Sequence, residues 1–190
     1  MIEHRKTSPL RRFSLSSYDK APMNWRQKGV GVTRMIFGLV LAVAALLKWQ
    51  PQFQNTFVTQ VAAAQGGQSA PIMGWITFWT HLVSINPLLF ARIEASTETA
   101  LAIFLLFGVL SNLAYVVGIL LSLGIWSIPE GFGGPYVAGK STDIGAGFPY
   151  AIVFALLLFL SAGRYYGLDS WLTKRLGRLG FLASGSFRRR

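Results

Sequence analysis

Apolar residues fill almost all of residues 87–129, yet two carboxylates, Glu94 and Glu98, lie near the start of this stretch. The segment that follows them, residues 100–109 (ALAIFLLFGV), belongs to a membrane span or a deep core. Four residues apart on a helix, the two acids project from one face, about one turn apart. An ionisable residue at the centre of a membrane helix costs about 2.5–3.5 kcal/mol even on the gentler scales, so it indicates a functional site. These acids are therefore the first candidates for a site.

Composition favours an integral membrane protein of one domain. The 190 residues are 52% hydrophobic and only 13% charged, and the net charge is +11. The basic residues are crowded at the ends: eight of the eighteen Lys and Arg precede residue 35, and seven lie from Arg164 onward. Since no nucleic-acid-binding motif accompanies them, we predict no nucleic-acid partner.

The absence of cysteine excludes disulfides, thiolate metal sites and iron–sulfur clusters within this chain. His4 and His81 are its two histidines. His4 lies in a basic terminal segment, so the chain offers no pair of inward imidazoles for a haem. We therefore predict no haem, no iron–sulfur cluster and no metal site in the chain, and interpret His81 as an interfacial side chain.

Four apolar segments predict an all-α, polytopic membrane protein with a bundle of four transmembrane helices. They are residues 30–47, two segments within 92–128 that divide near Gly108, Ser111 and Asn112, and residues 147–163. Basic residues precede the first span and follow the last one, so both termini are predicted to be cytoplasmic. Two cytoplasmic termini require an even number of spans, in agreement with four. The predicted location is the inner (cytoplasmic) membrane, in which the chain is multi-pass.

This topology divides the chain into three regions. A basic cytoplasmic N-terminal extension covers residues 1–29, the membrane domain covers 30–172, and a basic cytoplasmic tail covers 173–190. The loops 49–90 and 129–146 lie on the outer side. In the first loop, residues 71–89 place aromatic side chains at helical spacing, which predicts an amphipathic helix on the outer interface with its aromatic face toward the membrane. The residues concerned are Trp75, Phe78, Trp79 and Leu82.

Four charged residues are predicted to lie at the same depth near the outer surface: Lys48, Arg92, Glu94 and Glu98. Lys48 ends the first span, so a buried pair with Glu98 or Glu94 is expected. Three roles fit this pattern. The pair locks two helices together, or it belongs to a pocket for a quinone headgroup or small oxyanion with Glu94 or Glu98 as proton acceptor, or it pairs with another subunit.

Other charged residues are predicted to have structural roles at the ends of the bundle. Arg34, one turn inside the first span, is expected to extend to the cytoplasmic lipid headgroups. Asp143 is expected to cap the last span or bind Lys140. Arg164 and Asp169 are expected to pair and close the bundle at its cytoplasmic end.

Three sequence elements together resemble the DoxX/DoxD family of four-helix membrane proteins. The first is Arg34, Gly38 and Lys48 in one span; the second is the acid-bearing span with Glu94, Glu98 and Gly108. The third is a last span that ends in AGRYYGLD (residues 162–169), within the tract 141–169 that resembles the DoxD branch. The resemblance covers about residues 32–172.

The resemblance implies a membrane subunit of a thiosulfate:quinone oxidoreductase, which passes electrons from a sulfur compound on the outer side to a membrane quinone. It implies a small separate partner subunit, DoxA-like, in addition to the lipid bilayer and the quinone. Glu94 and Glu98 would then be the catalytic residues, whereas Lys48 and Arg92, helped by Lys140, would attract the anionic substrate. A directly bound quinone is the acceptor that the residues permit. The alternative is a non-catalytic accessory or scaffold subunit of a larger respiratory or photosynthetic membrane complex.

Overall fold

The computed structural model describes residues 22–138 and 143–184, and this part of the chain is all-α without a β-strand. Predicted features in residues 1–21, at Lys140 and at Arg188–Arg190 lie outside the described residues. The α-helices are α1 (Trp25–Lys48), α2 (Pro51–Ala63), α3 (Ala70–Ser84), α4 (Pro87–Phe107), α5 (Ser111–Ser127), α6 (Gly147–Phe159) and α7 (Asp169–Leu176). Short 3₁₀ segments occur at Gly131–Gly133, Ala162–Arg164 and Gly177–Leu182.

Local sequence signals define where α1 and α4 begin. Asn24 and Gln27 form a capping box at the start of α1, in which each side chain accepts a hydrogen bond from the backbone N–H of the other at 2.9 Å. Helix α1 therefore begins at Trp25, within the predicted extension 1–29. Asn86 caps α4 by accepting a hydrogen bond from the Leu89 N–H at 3.1 Å, and Pro87 occupies the first position of that helix.

The predicted turn between the second and third apolar segments is confirmed. Helix α4 ends at Phe107 and is capped by Gly108, whose φ of 60° is the left-handed conformation that glycine adopts at helix C-termini. Helix α5 begins at Ser111, after Leu110 has also adopted a positive φ of 47°. The long apolar stretch is thus two antiparallel helices joined by a tight turn.

The main core lies between α1, α4, α5 and α6. Helix α1 packs along α4, and α5 packs along α6. Phe37 on α1 contacts the Tyr150 and Phe154 rings of α6 edge-on, with centroids 5.3 and 5.0 Å apart. Gly118 on α5 lies directly against the Phe154 ring. A glycine at this contact allows close approach of the two helices, as in membrane helix pairs.

Helices α2 and α3 build a second, smaller core beside α4. Phe57 and Val61 of α2 pack with Ile76 and Val83 of α3 and with Ala91 of α4. The helix predicted in residues 71–89 is confirmed in part as α3, which ends at Ser84, because residues 87–89 belong to α4. Helix α2 was not predicted. The buried face of α3 is its Ile76 and Val83 side, and Trp75 and Phe78 are exposed.

Among the described residues, one helix, α1, is long and apolar enough to cross a membrane by length and composition. Helices α5 and α6 are apolar but shorter. Large apolar side chains on the outer faces of α1, α4, α5 and α6 are exposed, including Leu46, Phe107, Leu120 and Phe159. A large exposed apolar surface of this kind indicates a membrane or a partner protein.

Candidate functional site

A cluster of three charged side chains joins α1 to α4. The Lys48 ammonium at the end of α1 donates hydrogen bonds to Glu94 Oε1 and to Glu98 Oε1, the latter at 2.7 Å. The side chains are largely buried: Glu98 is 6% exposed, Glu94 16% and Lys48 17%. The sequence predicts that Lys48 pairs with one of the two acids, and it binds both. We call these three residues the outer cluster.

The charges of the outer cluster do not balance when all three groups are ionised. One ammonium and two carboxylates leave a net charge of −1, which one proton added to either carboxylate would neutralise. The second oxygen of Glu98, Oε2, is buried and has no hydrogen-bond partner among the described residues. A buried carboxylate oxygen without a partner is costly. The arrangement therefore suits a group that takes up a proton.

Glu98 and Lys48 line a cavity of about 240 Å³ inside the bundle. Its wall also includes Glu130, Tyr150 and Ser122, so carboxylate, phenol and hydroxyl groups share one space. Glu130 Oε2 accepts a hydrogen bond from the Gly147 N–H at 2.9 Å and so caps the start of α6. Glu130 was not predicted as a site residue, although it is one of only seven acids and directly precedes the glycine-rich loop.

A second cavity, of about 230 Å³, lies between α2, α3, α4 and α5 on the other side of the cluster. We call it the apolar cleft. Its polar wall residues are Glu94, Thr97 and Trp79, and most of the others are aliphatic or aromatic. The Trp79 indole N–H is buried and has no acceptor among the described residues. We call the cavity of about 240 Å³ beside Glu98 the bundle cavity. The outer cluster thus lies between the two cavities, because Glu94 lines the apolar cleft and Glu98 lines the bundle cavity.

Arg92 does not join the outer cluster. Its side chain is exposed, and the ion pairs found within residues 22–138 and 143–184 are those of Lys48 with Glu94 and Glu98. His81 is exposed on α3, and no group of three potential metal ligands occurs in the described part of the chain. Asp143 accepts a hydrogen bond from the Gly145 N–H at 2.7 Å instead of capping α6.

A second buried polar cluster lies at the opposite end of α1. Arg34 is fully buried and donates from Nη2 to the Tyr165 and Tyr166 carbonyls at 3.2 and 3.0 Å. Asp169, also fully buried, accepts from the Ser111 and Ser184 N–H groups at 3.1 and 2.8 Å. We call this the inner cluster. It attaches the C-terminal segment 169–184 to the α4–α5 turn.

Two sequence-based predictions at this end are wrong. Arg34 does not extend to lipid headgroups, because the segment after α6 turns back and presents two backbone carbonyls to the guanidinium. Arg164 and Asp169 do not pair: Arg164 is exposed, and Asp169 turns inward to satisfy two backbone N–H groups. Buried backbone donors need acceptors, and this need determined the position of Asp169.

An apolar layer separates the two clusters. Lys48 and Arg34 are fourteen residues apart on α1, which corresponds to about 21 Å along a helix axis. Between them, the core contains the buried side chains of Phe37, Leu41, Leu101, Leu105, Phe154 and Leu157. The polar groups at the two ends therefore belong to separate environments.

Comparison of this chain with protein-family models, with curated proteins and with solved structures finds no match. The resemblance to the DoxX/DoxD family thus stays a prediction from the residues named above.

Proposed function

We propose that this chain is a four-span membrane subunit of a DoxD-like thiosulfate:quinone oxidoreductase, and that its outer cluster provides protons for quinone reduction. The observation that carries the proposal is the Lys48 ammonium shared by Glu94 and Glu98 beside two cavities. A cluster with one carboxylate in excess can hold and release a proton without leaving an unpaired ammonium behind.

The proposed membrane topology is supported by the exposed apolar surface and by the positions of charge. Helices α1, α4, α5 and α6 each present large apolar side chains outward, and both basic terminal regions follow the positive-inside rule. In this topology, α2, α3 and the outer cluster lie toward the outer side. The inner cluster and α7 lie toward the cytoplasm.

The stoichiometry of the reaction explains why acids are needed. Oxidation of two thiosulfate ions to one tetrathionate releases two electrons and no proton. A quinone that accepts those electrons also needs two protons to become a quinol. Glu94 and Glu98 are suited to deliver protons, because each is held by Lys48 and can be reprotonated in turn. Glu98 opens to the bundle cavity, where Glu130 offers a further acidic group.

The charge of the outer cluster also supports a binding site for thiosulfate away from Lys48. Lys48 is already bonded to two carboxylates, and a net charge of −1 repels a dianion. In this proposal, Lys48 positions Glu94 and Glu98 and does not bind the substrate. Arg92 is exposed at the start of α4 and would attract the anion. The sulfur chemistry itself would take place on a partner subunit.

The first experiment measures thiosulfate-dependent quinone reduction in membranes that contain this chain with its co-purifying partners. We expect Glu98→Gln to lower turnover strongly and Glu94→Gln to lower it as well, because neither amide can carry the proton. Glu3→Gln, in the predicted cytoplasmic extension, is the control that keeps full activity. Loss of activity with unchanged membrane insertion supports the enzyme. If neither Glu94→Gln nor Glu98→Gln lowers the activity, the proposed role of these two acids as proton donors is refuted.

A second outcome would favour the alternative function. If intact wild-type membranes reduce no quinone, and the chain co-purifies in fixed ratio with cofactor-bearing subunits, the protein is an accessory or scaffold subunit. The outer cluster would then only join α1 to α4.

Topology can be tested independently, because the chain contains no cysteine. Single cysteines at Gly66, between α2 and α3, and at Lys174, on α7, report the two sides. In intact cells, a membrane-impermeant maleimide should label position 66 and leave position 174 unlabelled. Labelling of position 174 under these conditions would refute the proposed orientation.

A further inference from the structure

We infer that the apolar cleft is the binding site for the quinone ring, an inference that rests on the proposed function and gives it a location. The bundle cavity beside Glu98 offers a mixed wall with two carboxylates and an ammonium. The cleft beside Glu94, in contrast, is lined mainly by apolar side chains, as pockets for apolar ligands are.

The wall of the cleft contains an indole donor without an acceptor in the described part of the chain. Trp79 lines the cleft, and its Nε1–H is buried without a hydrogen-bond partner among the described residues. Buried tryptophan N–H groups usually have an acceptor, and a buried donor that lacks one is costly. A ligand that carries a carbonyl oxygen would supply this acceptor. A lipid acyl chain would not.

The charge of the cleft wall favours a neutral ligand. The wall of the cleft includes no Lys, Arg or His among the described residues, and its one ionisable group is Glu94. Lys48 binds Glu94 from outside the cleft and is shared with Glu98, so the cluster keeps an excess negative charge that disfavours thiosulfate, a phospholipid phosphate or any other anion. The combination of apolar wall, N–H donor and acid fits an uncharged, flat, conjugated ring with carbonyl oxygens, which is the chemistry of a quinone.

The cleft is also connected to the outer cluster. Glu94 lies in the wall of the cleft and binds Lys48, which also holds Glu98. A ring in the cleft therefore lies beside one carboxylate of the cluster, while the other faces the bundle cavity. This arrangement separates the site of the ring from the route by which protons return.

Glycine positions in the chain provide a selective way to block the cleft. Gly124 on α5 lies in its wall, and a Cβ atom added there would meet nothing within 4 Å. The side chain of Gly124→Leu is therefore expected to occupy part of the cleft, since its Cβ atom meets no protein atom within 4 Å. Gly74 on α3 also has open space around an added Cβ, but it is exposed and lies outside the cleft. Gly74→Leu is the matched control.

The test is equilibrium binding of a tritiated benzoquinone with one isoprene unit to the purified full chain in detergent. We expect saturable binding to the wild type and to Gly74→Leu, and none to Gly124→Leu. Trp79→Phe keeps an aromatic side chain, although a smaller one, and removes the N–H, so it should weaken binding about two- to tenfold. Trp75→Phe, which alters an exposed indole on the same helix, should bind as the wild type does.

Several results would overturn the inference: no saturable binding to the wild type, wild-type affinity in Gly124→Leu, or equal competition by an alkylbenzene without carbonyl groups. The same variants distinguish failure of the proposed quinone site from failure of the proposed reaction. Quinone binding that Gly124→Leu abolishes, in membranes without thiosulfate-dependent activity, would support the site and refute the reaction. Thiosulfate-dependent reduction that continues unchanged in Gly124→Leu would support the reaction and refute the site.

Discussion

Replacing Lys48 with methionine should destabilise the protein far more than replacing either acid of the outer cluster. Methionine keeps much of the length of the side chain but removes the ammonium that binds Glu94 and Glu98. The net charge of the ionised cluster then changes from −1 to −2, with two largely buried carboxylates left without a cation. Removal of one partner from a buried ion pair costs about 3–5 kcal/mol.

For a domain of this size, a loss of that magnitude lowers Tm by about 6–20 °C. Glu98→Gln, in contrast, leaves Lys48 paired with Glu94 and makes the cluster neutral, so its Tm should fall by only a few degrees or rise. The control is Lys28→Met, which changes an exposed lysine on the same helix and should leave Tm unchanged.

The assay is thermal unfolding of the purified protein in one detergent, followed by intrinsic tryptophan fluorescence and by retention of the monodisperse species. The triple variant that adds Glu94→Gln and Glu98→Gln to Lys48→Met should recover most of the lost stability, because no uncompensated charge remains. Two results would contradict the charge argument: a Tm for Lys48→Met equal to that of Lys28→Met, or a Glu98→Gln variant as unstable as Lys48→Met.

Two further predictions concern the packing of the bundle. Gly118→Ala should lower Tm, because the new Cβ would lie 2.3 Å from carbon atoms of the Phe154 ring, whereas Gly124→Ala on the same helix has open space and should preserve or raise Tm; equal Tm values for the two variants would refute this packing. Asp169→Ala should leave two buried backbone N–H groups without acceptors and release the C-terminal segment, which limited trypsin digestion would detect as faster cleavage there. Asp143→Ala, at an exposed site, is the control, and equal digestion rates would contradict the assigned role of Asp169.

The sequence was sufficient for those features that depend on local signals. The α4–α5 turn followed from Gly108, since a glycine that can adopt a positive φ interrupts a long apolar stretch. Pairing of Lys48 with an acid could be predicted because the middle of the chain contains only three basic residues, so Glu94 and Glu98 had few possible cationic partners. A charged residue in apolar surroundings needs a partner, and Glu94 and Glu98 were the acids at the corresponding depth.

The features that were missed depend on contacts between distant parts of the chain. Arg34 faces inward because the carbonyls of Tyr165 and Tyr166, more than 130 residues away, reach it after a turn in which Tyr166 has a φ of 54°. Helix α2 has a weak pattern because it packs on α3 and α4 through only two buried residues, Phe57 and Val61. The unpartnered Trp79 N–H cannot be recognised from sequence at all, since the absence of an acceptor is a property of the folded chain.

The apolar layer between the outer and inner clusters has a consequence for cellular energy conservation. Among its described side chains, Phe37, Leu41, Leu101 and Leu105 carry no group that could relay a proton, and the buried hydroxyl of Tyr115 lies at the inner end beside Ser111. In the proposed orientation, the protons consumed at Glu94 and Glu98 therefore come from the outer aqueous phase, the side on which the electrons also originate. Each turnover would be electroneutral and would add nothing to the proton-motive force. Any energy gained from the sulfur compound would be captured later, by whichever complex reoxidises the quinol.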